Sequence, residues 1–93
     1  MNEPLDPPKA KALILLILEE GSVVFSKHAK KEMQNDGLVD QDILNILRAG
    51  IVEPAETENG RWRYRVRTSR MYAVTSFRSE SELVVVTAWR VKK

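Results

Sequence analysis

The chain has 93 residues, 43% of them hydrophobic and 30% charged, with a net charge of +2. That is the length of one domain with an adequate core. The absence of cysteine excludes disulfides, thiolate nucleophiles and Cys-based metal sites. Three prolines in residues 1–8 read as a loose arm, here bounded as 1–7, leading into a first helix from about Pro8 to Glu20, which Gly21 stops. Its apolar stripe of Leu13, Leu16 and Ile17, widened by Ile14 and Leu18, implies deep burial, either inside the domain or in a homodimer. The apolar run Ala12–Leu18 ends at Glu19-Glu20, far short of the roughly 20 residues that span a bilayer. With no positive start of a signal peptide at Met1–Pro4, a cytoplasmic setting is expected.

Ser22–Phe25 is short and β-branched, and predicts a small strand. Ser26 then caps a second helix over about Lys27–Asn35, polar except for Ala29 and Met33 and therefore at the surface. Asp40 is expected to cap a third helix over Gln41–Ala49, with Ile43, Ile46 and Leu47 on its core face. Ile51–Glu53 forms a brief strand, and Pro54–Gly60 reads as an acidic turn or loop. Three strands follow, over about Arg61–Arg67, Met71–Phe77 and Leu83–Trp89. The expected class is α+β: a small antiparallel-rich sheet of these three strands plus one or two short ones, packed on about three helices as one domain.

Arg61-Trp62-Arg63-Tyr64-Arg65-Val66-Arg67 alternates with period two, so its four arginines share one face and Trp62, Tyr64 and Val66 share the other. A two- or four-residue turn pairs Val66 with Met71 and Arg65 with Tyr72, which brings Arg70 and Tyr72 to the arginine face. Trp62 and Trp89 are expected in the core. The unalternating run Leu83–Val86 predicts a central strand covered on both faces. Residues 1–60 carry 6 basic and 11 acidic side chains, whereas residues 61–93 carry 9 and 2. A basic second half suits a polyanion; the competing reading is attraction between the two halves within the fold.

WRYRVRTSRMYAV followed by LVVVTAWR resembles the C-terminal half of RelE/ParE-superfamily toxins, with Arg63, Arg65, Val66, Arg70 and Arg90 at matching places. FSKHAKKEM resembles the Ser-x-His-Ala group of the same superfamily. The resemblance implies a RelE-like fold and a metal-independent endoribonuclease toxin, acting on mRNA that is free or ribosome-bound and neutralised by a cognate antitoxin. It needs no cofactor. A gyrase-directed toxin or a non-catalytic nucleic-acid- or protein-binding module of the same fold is the alternative. Cleavage by 2′-hydroxyl attack requires a base, an acid and a cation for the phosphorane. His28, the one histidine, is the expected acid or base, oriented by Glu32; as an alternative it is an exposed helix-start residue. The resemblance gives Arg70 the transition-state charge, with Arg90 assisting. Tyr72 stacks on a base or donates a proton. Arg61, Arg63, Arg65 and Arg67, with Lys27, are expected to track the RNA backbone. No metal-ligand constellation is evident.

Overall fold

The computed structural model describes residues 1–91. Chain order is α1 (Pro7–Glu20), β1 (Ser22–Phe25), α2 (Lys27–Asn35), α3 (Asp40–Ala49), β2 (Ile51–Val52), β3 (Glu56–Glu58), β4 (Arg61–Arg67), β5 (Met71–Ser79) and β6 (Glu82–Arg90). The fold is α+β. The sheet runs β1-β6-β5-β4-β2, with β3 also on β4, and is antiparallel except for the β1–β6 pair.

The N-terminal arm, expected to be loose, is tied down. The Tyr64 hydroxyl donates to the Glu3 carboxylate at 2.8 Å and accepts from the Leu5 N–H at 2.9 Å. Leu5 packs against the core, and Asp6 caps α1 by accepting from the Lys9 N–H. The buried stripe of α1 is Ala10, Ile14 and Ile17, at i, i+4 and i+7. Leu16, expected to be buried, is 47% exposed, because it lies a third of a turn from that stripe. Gly21 ends α1 for want of space: a Cβ there would lie 2.3 Å from the Ser81 carbonyl oxygen.

α1 and α3 cover one sheet face, and Ile43, Ile46 and Leu47 are buried as the periodicity requires. Val39, not Asp40, is the N-cap of α3. Its N–H donates to Asp42, which lies three residues on, so the stabilising carboxylate sits inside the first turn. Lys11 on α1 donates to the carbonyls of Leu47, Arg48 and Gly50 at 2.7–2.8 Å, closing the end of α3.

α2 takes the edge place beside β6 where β1 stops. Ser26 accepts from the Ala29 N–H and donates to the Val86 carbonyl; at the other end Asp36 accepts from the Arg90 N–H. The β6 edge thus finds hydrogen-bond partners in the two caps of a helix that cannot pair as a strand. Ala29 and Met33 face the core.

Three strand-level expectations change. Pro54–Gly60 is not a plain loop, because Glu56–Glu58 pairs with Arg61–Arg63 around Asn59-Gly60, both at positive φ (52° and 74°). The β4–β5 register is two residues from the one expected: Val66 faces Ala73, Arg67 faces Tyr72 and Arg65 faces Val74. Thr68 is the cause. Its N–H donates to the Met71 carbonyl and its hydroxyl accepts from Arg70 and Met71, closing the turn over Ser69-Arg70. A shift of two keeps the faces as expected. The third change is in β6, where pairing to β5 slips between Val74–Thr87 and Thr75–Val85. This bulge places Leu83, Val85 and Ala88 in the core and turns Val84, Val86 and Trp89 to the far face. The apolar run is therefore not helix-covered on both sides, and Trp89 is not a core residue.

Candidate functional site

The sheet face opposite α1 and α3 carries no helix among the described residues. Alternation on β4 puts Arg63, Arg65 and Arg67 there, and β5 adds Tyr72, Val74 and Ser76. The bulge in β6 adds Trp89. Tyr72 and Trp89 are cross-strand partners whose rings stack at 5.2 Å and 9°. The Arg65 guanidinium lies over both, 5.5 Å and 5.9 Å from their centroids. Arg61 is exposed at the start of the same row.

This face is not purely basic. Glu53 holds Arg67 at 2.8 Å and Arg65 at 3.9 Å, and Glu58 meets Arg63 at 3.4 Å. Attraction between the acidic first half and the basic second half is thus realised at the β2–β3 edge. These pairs are partly solvated, each worth less than about 1 kcal/mol, so a phosphate can displace them. Arg61 and Arg63 differ from Arg65 and Arg67. Arg61 has no ion pair among the described residues, and the Arg63 side chain is only 18% exposed.

Three hollows divide the open face. One of about 240 Å³ lies between β3 and Trp89, walled by Arg63, Arg65, Glu56 and Glu58. A second, of about 190 Å³, is lined by Arg61, Arg63, Arg78, Ser26 and Ser76. A third, wide groove of about 440 Å³ has Tyr72 and Trp89 on one side and Glu32, Asp36 and Arg90 on the other.

The expected catalytic residues are only partly assembled. Tyr72 and Arg90 share the third groove. The Arg90 guanidinium donates to the carbonyls of Asp36 and Gly37, so it closes the end of α2. Arg70 is exposed at the turn, and its carbonyl accepts from the Val91 N–H beside Arg90. His28 is exposed in the first turn of α2, as is Lys27. Eight residues of helix separate His28 from Asp36, about 12 Å at 1.5 Å per residue. The histidine therefore sits at one end of α2 and Arg70, Arg90 and Tyr72 gather at the other. Glu32, expected only to orient His28, lines the groove together with Asp36, whose carboxylate accepts from the Arg90 N–H. Trp89 was missed because the bulge changes its parity; two consecutive outward residues, Val86 and Thr87, leave no mark in an apolar run.

Among the described residues no cluster of His, Cys, Asp and Glu could hold a metal ion. No helix among them is long and apolar enough to cross a membrane. No curated protein and no solved structure matches the chain. Residues 25–90, from the end of β1 through β6, match a family described as Domain of unknown function, and the chain belongs to that family, DUF4258.

Proposed function

We propose that the protein binds single-stranded RNA on its open sheet face and cuts it there without a metal, as a toxin of the kind the RelE/ParE resemblance implies. The observation that carries the reading is the Tyr72–Trp89 stack with Arg65 across both rings, set in a row of arginines on a face that no helix covers. Bases stack on aromatic faces irrespective of sequence, while guanidinium groups follow the phosphates. The row of arginines on alternate β4 positions advances by about 6.5–7 Å per step.

Cleavage is assigned to the groove at the C-terminal end of α2. Glu32 takes the proton from the 2′-hydroxyl. That oxygen attacks phosphorus, forming a 2′,3′-cyclic phosphate and breaking the bond to the 5′-oxygen, which takes the Tyr72 hydroxyl proton. Arg70, exposed at the turn, reaches the phosphorane charge, and Arg90 holds the end of α2 so that Glu32 stays in place. The base is assigned to Glu32 because it lines the groove, whereas His28, one turn earlier on α2, is not among the groove's lining residues.

The test is incubation of purified protein with end-labelled RNA in the presence of a metal chelator. Products ending in 2′,3′-cyclic phosphate, reduced at least 100-fold by Glu32→Gln and not by His28→Ala, are expected, at about the 10²–10⁴-fold worth of a general base. Intact RNA in both this assay and one containing ribosomes would leave a non-catalytic RNA-binding module.

A further inference from the structure

We infer that the 240 Å³ hollow beside Trp89 is a guanine-selecting pocket; this rests on the RNA-binding reading above. The hollow is smaller than the usual ~300–1,000 Å³ of small-molecule sites, and its size suits one base. Its apolar surface comes from Val74, Val86 and the Trp89 indole, which suits a flat ring. Its polar wall is mixed, with Arg63 and Arg65 supplying only donors and Glu56 and Glu58 only acceptors.

Arg63 points most directly to a ligand. Its side chain is 18% exposed, yet its one ion pair is a 3.4 Å contact from Nε to Glu58. A guanidinium has five N–H donors, and none of the Arg63 nitrogens is both buried and unpartnered, so the donors that Glu58 leaves unused are solvated and open to a ligand. Its neighbour across the strand pair, Glu56, makes no ion pair among the described residues. The pocket therefore presents spare donors on β4 and spare acceptors on β3.

Guanine fits that division. Its O6 and N7 accept from an arginine in a bidentate pair. Its N1–H and N2–H lie side by side on the Watson–Crick edge and donate to the two oxygens of a carboxylate. Adenine, cytosine and uracil each lack a second adjacent ring or amino donor for the carboxylate. Selection by Glu56 or Glu58 together with Arg63 thus gives a reason for acidic residues on an otherwise basic face.

The experiment is fluorescence anisotropy with full-length protein and 2′-O-methyl heptamers, which cannot be cut by 2′-hydroxyl attack. One is all uridine, one carries a central guanosine and one a central inosine, which lacks the N2 amino group. Guanosine is expected to bind about tenfold tighter than uridine, within the range of one bidentate base contact, and inosine to lose most of that gain. Glu56→Gln with Glu58→Gln should bring the guanosine and uridine heptamers to equal affinity while both still bind. Equal binding of the three heptamers by the unmodified protein overturns the pocket assignment alone. Failure of all three to bind overturns the RNA-binding reading and the pocket with it.

Discussion

Tyr64 shows how one side chain of the basic strand serves the fold rather than the face. It is fully buried, meets Phe77 edge-on at 5.0 Å, and anchors the N-terminal arm through Glu3 and Leu5. Burial, together with the neighbouring Glu3 carboxylate, pushes its hydroxyl up to about 12, against the smaller opposing effect of the Leu5 N–H. The unfolded chain ionises near 10 and the folded one near 12. In that window the folded state binds more protons, so this contribution is complete below pH 10 and is lost as the pH rises through 12. Tyr64→Phe should cost about 1–2 kcal/mol at neutral pH, because Glu3 and Leu5 lose a partner. It should also flatten the decline in stability between pH 10 and 12, measured by urea titration across that range. The burial of Tyr64 was legible in the alternation of β4, whereas its hydrogen bonds were not. Nothing local in Glu3-Pro4-Leu5 specifies a partner some sixty positions away.

At the scale of elements, helices were easier to read than strand pairing, for a physical reason. Ala29 and Met33 on α2, and Ile43, Ile46 and Leu47 on α3, lie four or three residues apart and declare a buried stripe locally. Register is set by turns instead. Thr68 moves the β4–β5 turn by one residue, and its hydroxyl bonds, not an Asn-Gly signature, hold it there. Asn59-Gly60 does carry that signature, and it marks the β3–β4 hairpin that an acidic composition disguised as loop. Helix ends are also fixed at long range, as Lys11 illustrates. Burial lowers its pKa from the usual lysine value, while three carbonyls at the end of α3 hold the ammonium. Lys11→Met keeps much of the stem and removes all three bonds. It should destabilise the fold by about 1–3 kcal/mol, read as a lower urea midpoint with an unchanged slope.

For the whole molecule, the two halves of the chain divide the work by charge. The first half builds the helices and the acidic β2–β3 edge, and the second builds the sheet and its arginines. Glu53 and Glu58 moderate that basic face without covering it. The arginine face was legible because period-two alternation survives a two-residue slip in register. Its aromatic half was only half legible, because Tyr72 follows the alternation and Trp89 reaches the face through a bulge. The central claim is that this face binds single-stranded RNA through both halves at once. Its most direct test is the affinity of a 2′-O-methyl uridine heptamer, measured over a salt series for the unmodified protein and for Trp89→Ala. The prediction is a log–log salt slope of about −0.7 per phosphate neutralised. Trp89→Ala should weaken binding roughly 5- to 100-fold, the worth of one base–aromatic stack, and leave that slope unchanged. Absence of binding at low salt, or salt-insensitive binding that Trp89→Ala does not weaken, would contradict it.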